Sequence, residues 1–461
     1  MKRFFIIATL FAVTFTSYSQ SLGYQDLAII FSENDNNGSA RFTGMSGAFG
    51  ALGGDISSIN INPAGIAVAN KSSFSGTLNN RNSNITSNYY GNSITTQNQF
   101  FNLSHAGAIL VFDSAYTSEW SKFAIGFNYR ITKDFEDNFQ ANGNSGVATF
   151  KDFPFDNNAT PIDYNIADGQ DFINNYKGEI SEINFGFSSV HRKKLYVGLG
   201  LNFYDLNFTQ QADLAEFNSD GNGNELDAYL YQENITTGSG FSANAGFIYK
   251  AHPNFRFGLA YQTPTWYTEI LETTNITNND GYFGDTEISV SNNNAVYRNT
   301  DFGGFPIQEL LYKLKTPSKL TASAAFIFGK KGLLSLDYTN KNYQNIKLSN
   351  HNFSAENQFF QDDLRNTHSF NVGTEWRLDR FSVRGGYKFE QNPNKLATSS
   401  DNLKGYSLGA GYNFGNFKLD FSYSDSNKTG LYNFYPQYNQ VSAADLNIDN
   451  SVFTATLTIN M

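Results

Sequence analysis

One-for-one alternation of apolar and polar residues dominates the chain from about Leu195 to its last residue. Residues 381–389 read Phe-Ser-Val-Arg-Gly-Gly-Tyr-Lys-Phe, and residues 417–424 read Phe-Lys-Leu-Asp-Phe-Ser-Tyr-Ser. A period of two places the aromatic and aliphatic side chains on one face of a strand and the charged and hydroxyl side chains on the other. The alternation recurs over many hairpins, and its apolar face is strongly aromatic. This pattern predicts an all-β fold, a transmembrane antiparallel β-barrel.

The composition agrees with an exterior that meets lipid. Aromatic residues make up 16% of the 461 residues, with 44 Phe and 27 Tyr, and charged residues also make up only 16%. Soluble domains carry about 25% charged residues, and a lipid-facing surface explains the deficit because charge is excluded from it. A soluble sandwich or propeller is the rival interpretation. No blade-length repeat supports a propeller, and a sandwich needs more polar outer faces.

The start of the chain has the form of a secretory signal peptide. Two basic residues precede the apolar stretch at residues 4–15, and residues 17–19 include the small side chains that a signal peptidase requires. We predict a signal peptide at residues 1–19, with cleavage after Ser19 or, one residue later, after Gln20. No later apolar run is long enough for a transmembrane helix, so spanning the cell outer membrane requires strands.

Strand-length segments of alternating character number about fourteen, an even number as bacterial single-chain barrels require. They are predicted near residues 72–80, 102–112, 121–131, 180–190, 194–206, 239–250, 254–266, 317–329, 331–343, 367–378, 380–391, 403–414, 416–425 and 451–461. Short turns alternate with long loops at residues 132–179, 207–238, 267–316, 344–366 and 426–450, as they do when short turns face the periplasm. The last strand then pairs with the first, which closes a barrel that spans residues 72–461.

Charged side chains on the polar strand faces must point into the lumen. Arg or Lys facing lipid near the midplane costs about 2 to 4 kcal/mol, which disfavours the opposite orientation. The inward set comprises Lys122, Arg130, Arg256, Asp337, Glu375, Arg377, Arg384, Lys388, Lys418 and Asp420. Either these groups pair with one another and with a plug, or a few of them bind the charged headgroup of a ligand.

Residues 20–71 differ from the rest because they are rich in small residues and do not alternate. Gly and Ala are frequent across residues 40–55, and a tight turn with the sequence Asn-Pro-Ala-Gly follows at residues 62–65. Pro63 biases Asn62 away from the helical region, which favours a shaped turn over a strand. Small residues allow close packing against a barrel wall. We therefore predict that residues 20–71 form a plug inside the lumen.

This segment resembles the N-terminal hatch of the FadL family of outer-membrane long-chain fatty acid transporters, which includes importers of aromatic hydrocarbons. The residues that carry the resemblance are Gly44, Gly47, Ala48, Phe49, Ala51, Asp55, Asn62, Pro63, Ala64 and Gly65. The family fold is a fourteen-stranded barrel with a hatch in its lumen. The resemblance implies that Gly44, Gly47, Asp55 and residues 62–65 form the hatch and its gate. Gly53-Gly54-Asp55 departs from the acidic pair that the family often has here.

The resemblance also implies passive uptake without chemistry or a cofactor. Hydrophobic molecules, above all long-chain fatty acids, would be captured at the long loops, held in the lumen and released when the hatch moves. In the family, a kink in the third strand opens the wall. Here that strand is residues 121–131, and Gly126 is the candidate for the opening. A fatty acid carboxylate requires an inward cation, for which the candidates are Arg256, Arg384 and Lys388.

Other functions are less well supported by the residues. The net charge of −10 argues against nucleic acid, and the lack of Cys excludes thiolate metal sites. No Gly-x-Ser-x-Gly motif supports an esterase, and His105, on the second predicted strand, is the candidate for an activating His within the barrel. Residues 220–227 alternate like a calcium loop, but Glu225 and Tyr231 stand where Gly and a bidentate Glu are needed. A role as a binding or assembly partner, for example in protein secretion, is the main alternative.

Overall fold

The computed structural model describes residues 22–113, 119–148, 150–154, 164–278, 286–290, 295–297, 308–435, 438 and 440–461. In this part of the chain, fourteen strands form one closed antiparallel barrel, which confirms the predicted fold class and strand number. The predicted signal peptide, residues 1–19, lies outside the described residues and stays a prediction. No helix of the described segments is long and apolar enough to cross a bilayer.

The barrel strands are numbered β1 to β14 in chain order, and three of them continue beyond a short interruption. They are β1 Ser73–Tyr89, β2 Asn92–Asp113, β3 Trp120–Asp134 with Asp137–Gly143, β4 Ile166–His191, β5 Leu195–Ser219, β6 Glu225–His252, β7 Phe255–Gln262 with Trp266–Asn278, β8 Gln308–Lys315 with Lys319–Phe328, β9 Gly332–Asn342, β10 Asn366–Leu378, β11 Phe381–Glu390, β12 Leu403–Asn413, β13 Phe417–Tyr432 and β14 Ala444–Asn460.

Pairing of the first and last strands closes the barrel. β1 is antiparallel to β14 along nearly its whole length, from Ser73 opposite Asn460 to Asn88 opposite Asp445. The same strand pairs on its other side with β2. Every remaining strand pairs with its neighbour in sequence, so the wall is a simple up-and-down meander.

Several strands are far longer than the nine to eleven residues that a bilayer requires. β4, β5 and β6 have 26, 25 and 28 residues. Much of the regions predicted as the loops 132–179, 207–238 and 267–316 is therefore strand, and residues 81–101 complete a hairpin that turns at Tyr90 and Gly91. In these upper parts the alternation is reversed, because apolar side chains such as Phe208, Leu214 and Leu230 point inward and most outward side chains are polar.

The two surfaces of the wall have opposite character. Aromatic and aliphatic side chains such as Phe185, Leu199 and Phe421 are 50%, 64% and 44% exposed on the outside. Their neighbours in sequence, such as Asn184 and Ser422, are buried inside. The exterior is thus apolar and the lumen is polar, as a barrel in lipid requires.

The segment 22–72, called the hatch segment below, contains four short helices. They are α1 Tyr24–Ile30, α2 Ala40–Thr43 and two 3-10 helices, Ile56–Asn60 and Pro63–Val68. At the long-loop end, α3 Ser354–Asp362 follows the short 3-10 helix Tyr343–Asn345 and the strand Lys347–Ser349. Loop residues Phe150–Pro154, Thr286–Val290 and Ala295–Tyr297 pair as a separate three-stranded sheet.

Candidate functional site

The turn at Asn62 fastens the hatch segment both to itself and to the wall. Its Oδ1 accepts a hydrogen bond from the backbone N–H of Ala64 at 3.1 Å, which caps the second 3-10 helix. Its Nδ2 donates to the carbonyl of Gly50 at 2.8 Å and to that of Phe247 in β6 at 3.0 Å. Pro63 fits the first helical position because it has no N–H to satisfy. The Asn-Pro pair therefore has a defined structural role.

Asp55 joins two separate parts of the hatch segment. Its Oδ1 accepts from the N–H of Ser57 at 3.0 Å and caps the first 3-10 helix, and its Oδ2 accepts from the hydroxyl of Ser39 at 2.8 Å. Ser39 in turn caps α2 by accepting from the N–H of Phe42. A single carboxylate thus holds two helix starts together.

Glycines in the wall allow the hatch segment to approach the strands closely. A Cβ at Gly198 in β5 would lie 2.3 Å from the backbone nitrogen of Ala64, and one at Gly373 in β10 would lie 2.5 Å from the carbonyl oxygen of Met45. Similar clashes would arise at Gly186, Gly246, Gly258 and Gly386. The sequence analysis missed these residues, although a glycine at an inward position of an alternating strand is a recognisable signal.

The predicted hatch glycines lie in the same tight packing. A Cβ at Gly44 would lie 3.2 Å from the Cα of Gly409 in β12, and Gly47 has a φ of 76°. A Cβ at Gly65 would lie 2.6 Å from the hydroxyl of Ser58. The structure therefore brings the predicted hatch residues together; their gating role stays a prediction.

A buried cluster of ion pairs connects the hatch segment to β10. Arg41 of α2 and Arg384 of β11 donate to Oε2 of Glu375 at 2.7 and 2.8 Å, and Arg377 donates to its Oε1 at 2.7 Å. Arg384 also reaches Asp420 in β13 at 2.6 Å. Several of the predicted inward charges thus pair with one another and with the hatch segment, and Arg384 has its charge matched twice.

The other two predicted headgroup cations differ in their surroundings. Arg256 donates from Nη1 to the carbonyl of Leu52 in the hatch segment at 3.1 Å. Lys388 lines two adjoining cavities, and no ion pair of Lys388 is found among the residues that the structure describes. Of the three candidates, Lys388 is the one that faces open volume.

The larger cavity, of about 250 Å³, lies between the hatch segment and the wall. A neighbouring cavity of about 110 Å³ shares lining residues with it. Ten of the 31 residues that line the larger cavity are charged, among them Glu33, Arg81, Lys133, Asp134, Asp137 and Lys428, and apolar side chains such as Phe135, Phe208 and Ile448 line it as well. The cavity can therefore solvate a charged or hydrogen-bonding group.

Beside this cavity, the neighbouring strands β2 and β3 of the wall separate. β2 and β3 pair from Asp113 opposite Lys122 to His105 opposite Arg130, and no further. β3 is interrupted after Asp134, and its continuation Asp137–Gly143 pairs with β4 only. We call the boundary between residues 92–104 of β2 and residues 131–143 of β3 the seam. Nine paired residues correspond to about 20 Å of height, so the seam begins within the apolar band.

Gly126 lies below the seam in an uninterrupted part of β3. It is opposite Ile109 on one side and Gly186 on the other. A Cβ at Gly126 would lie 2.9 Å from Cδ1 of Ile66, so this glycine makes room for the second 3-10 helix. The strand break is instead at residues 135–136, opposite Gly178, whose φ is 99°. An opening at Gly126 itself stays a prediction.

Side chains rather than a ladder hold the seam closed. Arg81 of β1 forms ion pairs with Asp134 at 3.3 Å and Asp137 at 3.1 Å, and it also donates to the carbonyl of Glu136. Asn102 donates to Asp134 at 3.1 Å, and Asn98 donates to a backbone carbonyl of the continued strand at 2.9 Å. Such contacts can be broken without unzipping a strand.

Residues 33–37 of the hatch segment line the inner side of the seam. The N–H of Asp35 donates to the carbonyl of Thr132 at 2.6 Å, and its carboxylate accepts from the N–H of Asp134 at 2.9 Å. Glu33 contacts Lys133 at 2.9 Å and Lys428 at 3.3 Å. Burial acts to raise the pKa of Glu33, but Lys428 and Lys133 outweigh burial and hold the pKa well below its usual range.

Aromatic side chains fill the lumen on the long-loop side of the cavity. Phe31, at the end of α1, packs edge-to-face on Phe135 and Phe208 at ring distances of 5.8 and 5.5 Å. The hydroxyl of Tyr24 donates to Glu272 at 3.0 Å. Nearer the mouth, Phe172 stacks on Phe434 at 4.1 Å. On this side of the cavity, the protein's own aromatic side chains therefore occupy much of the described lumen.

Two predicted features have ordinary structural roles. His105 is fully buried, with Nδ1 3.1 Å from the hydroxyl of Thr77 and Nε2 3.4 Å from that of Ser57. Asp220 accepts from the N–H groups of Asn222 and Asn224, which closes the hairpin between β5 and β6. The carboxylate of Asp220 therefore stabilises a turn.

Comparison with solved structures identifies the fold. A FadL homologue from Pseudomonas aeruginosa has a TM-score of 0.58 at 15% identity, with 93% of this chain and 99% of that chain covered. The toluene transporter TodX of P. putida has a TM-score of 0.54 at 12% identity, with 92% of this chain and 99% of that chain covered. The monoaromatic hydrocarbon channel CymD has a TM-score of 0.50 at 14% identity, with 92% of this chain and 97% of that chain covered.

The chain has the FadL fold. At these identities the likeness concerns the fold, and it agrees with the resemblance that the hatch residues indicate. No family model matches the chain, and no match is found among curated proteins. The FadL fold places the hatch segment, the cavity and the seam in one continuous region of the lumen.

Proposed function

We propose that this protein is an outer-membrane channel for passive uptake of hydrophobic compounds, with long-chain fatty acids as the first cargo to test. One observation carries the proposal: a cavity of about 250 Å³ lies between the hatch segment and a seam that only side chains close. A cargo held there has a short route into the membrane. The solved structures of similar fold include a toluene transporter and hydrocarbon channels, which supports this class of cargo.

The route runs from the long loops to the cavity and then sideways. Residues 33–37 are bonded to β3 on the lumen side, so their displacement frees the backbone of Thr132 and Asp134. Arg81 must also release Asp134 and Asp137 before β2 and β3 can separate further. Release is gated by two sets of polar contacts, and neither requires energy input from the protein.

Lys388 is the cation that we propose for the carboxylate of a fatty acid. It faces the cavities, whereas Arg384 is held by Glu375 and Asp420 and Arg256 is held by the hatch segment. A charge-assisted hydrogen bond from Lys388 would orient the headgroup. The acyl chain would follow through the seam, past the exposed side chains of Phe101 and Leu103.

A cross-link across the seam tests the route. The chain has no Cys, so the pair Asn102→Cys and Asp134→Cys introduces the only thiols. We expect oxidised cells to take up labelled oleate at the rate of cells without the protein, and reductant to restore uptake. The matched control is Thr86→Cys with Thr95→Cys, which joins β2 to β1 along its other edge and leaves β2 and β3 free to separate. Equal uptake with the seam closed and open would refute the route.

A role as a binding or assembly partner is the second candidate, and the character of the lumen favours it. Ten of the 31 residues that line the larger cavity are charged, and Phe31 of the hatch segment already covers part of the apolar surface of Phe135 and Phe208. Holding an acyl chain relies on about 0.8 kcal/mol for each buried CH₂, which the charged part of the lining does not supply. Cells that lack the protein distinguish the candidates: loss of growth on oleate supports uptake, and loss of a secreted protein supports the partner role.

A further inference from the structure

Basic side chains are concentrated at the short-turn end of the barrel. Nine basic side chains lie there, namely Lys71, Arg192, Lys193, Lys194, Lys250, Lys330, Lys331, Arg377 and Arg380. Among the described residues of the turns at this end, only three acidic side chains, Asp113, Glu119 and Asp379, accompany them. The whole chain has a net charge of −10, so the charge of this end is opposite to that of the rest. We call these nine residues the basic rim.

Most of the basic rim is free to interact outside the barrel. Arg192 is paired with Glu119, and Arg377 reaches Glu375. No ion pair of Lys194, Lys330 or Lys331 is found in the described part of the chain, and all three are exposed. The rim therefore presents uncompensated positive charge.

An aromatic girdle lies directly beside the basic rim on the outer surface. Phe328 stacks on Trp376 at a ring distance of 5.7 Å, and Phe414 stacks on Phe417 at 4.5 Å. Trp120 is 46% exposed at the same end. Aromatic girdles mark the level where hydrocarbon gives way to headgroups. The basic rim, one or two residues beyond the girdle, therefore lies at the level of lipid phosphates.

We propose that the basic rim binds the headgroups of anionic phospholipids in the periplasmic leaflet. This inference takes from the proposed function only the orientation, in which short turns face the periplasm. Lysine and arginine beside an anionic surface each add favourable energy that falls off within a Debye length. Several rim cations around one circumference would recruit a ring of anionic lipid. Because the girdle fixes the height of the rim, lipid is the partner that the geometry favours over an acidic periplasmic protein.

Native mass spectrometry of the purified full chain in mixed micelles tests this proposal, with phosphatidylglycerol and phosphatidylcholine as the probes. We expect preferential retention of phosphatidylglycerol at low salt, lost at 1 M NaCl. The triple variant Lys194→Gln, Lys330→Gln, Lys331→Gln should lower that preference by at least about tenfold. The matched control replaces three exposed lysines at the other end, Lys177→Gln, Lys313→Gln and Lys347→Gln, and should retain the preference.

The outcomes separate cleanly. Equal retention of both lipids by the unmodified protein, or equal loss in the two triple variants, would overturn the proposal. Retention of an acidic protein without any lipid preference would assign the rim to a protein partner and would also overturn it. Uptake of oleate, measured in parallel, separates this proposal from the proposed function. Normal uptake without a lipid preference would reject lipid binding by the basic rim and leave the uptake function standing.

Discussion

Arg41 of the hatch segment and Glu375 of β10 form an ion pair, with Nε and Oε2 2.7 Å apart. Glu375 is 1% exposed and receives two further guanidinium groups, from Arg377 and Arg384. This carboxylate attaches α2 of the hatch segment electrostatically to the wall, as Lys133 and Lys428 attach Glu33. Its removal would leave three cations without their shared counter-ion.

Glu375→Gln should therefore destabilise the barrel and loosen the hatch segment. Breaking a buried pair by removing one partner costs about 3 to 5 kcal/mol. The measurement is urea-induced unfolding in detergent, together with ion conductance in planar bilayers, which should rise. Glu119→Gln is the control, since Glu119 pairs with Arg192 at the surface and such pairs contribute little. An unchanged unfolding midpoint for Glu375→Gln would show that the cluster does not stabilise the hatch segment.

Gly198→Ala should displace the second 3-10 helix. The new methyl group would lie 2.3 Å from the nitrogen of Ala64, and both are backbone-constrained. We expect faster protease cleavage in the hatch segment and a loss of about 1 to 3 kcal/mol in stability, as for overpacking. Gly76→Ala is matched, because Gly76 is also a barrel glycine but has nothing within 4 Å of its Cβ position. Identical behaviour of the two variants would contradict the packing argument.

Asn62→Ala and Asn62→Asp should separate the two roles of this side chain. Aspartate keeps the oxygen that caps Ala64 but loses both donated bonds, to Gly50 and Phe247. We expect Asn62→Asp to detach the hatch segment from β6, and Asn62→Ala to cost about 1 kcal/mol more through loss of the cap. Hydrogen exchange of the hatch segment reports both effects. Pro63→Ala, combined with Asn62→Ala, should also change the uptake of labelled oleate.

The docking of α1 should weaken as pH rises from about 4 to about 6. Burial raises the pKa of Asp26 to about 6, although a hydrogen bond with the backbone of Gly23 acts to lower this pKa. The folded state therefore binds the proton more tightly than the unfolded state, and its stability falls as pH rises through this window. The loss of unfolding free energy over this window is at most about 3 kcal/mol, which corresponds to a difference of two pKa units between the folded and unfolded states. Thermal unfolding from pH 4 to 7 measures it.

Asp26→Asn should remove this slope and raise stability at pH 7. Asp220→Asn serves as the control, because Asp220 lies in an exposed hairpin turn. Should Asp26→Asn keep the full pH dependence, another group must be responsible for it.

The sequence predicted the barrel, its strand number and the location of the hatch segment because alternation and small-residue content are local signals. It did not predict the length of β4 to β6, since the apolar side chains of their upper parts point into the lumen instead of outward and alternate with polar ones less regularly. The seam was also missed. It depends on where β3 leaves β2, which is set by long-range contacts of Arg81 and Asp35.

The predicted inward charges illustrate the same limit. Periodicity gives the direction of Arg384 and Lys388, but it cannot tell which of them is neutralised by a neighbour. Glu375 and Asp420 pair with Arg384 because adjacent strands bring them into register, whereas Lys388 opens onto a cavity. The register between two strands depends on both of them, so it cannot be predicted from the sequence of either strand alone.

The 28 residues of β6 extend about 90 Å along the strand, or about 70 Å of height at the usual tilt. An apolar band of about 25 Å leaves on the order of 40 Å of wall standing outside the membrane. In the proposed function, a molecule that enters at the mouth would be collected at this distance from the bilayer. It would then descend inside the barrel and meet lipid only where β2 and β3 part, so the tall wall would shield it along the whole approach.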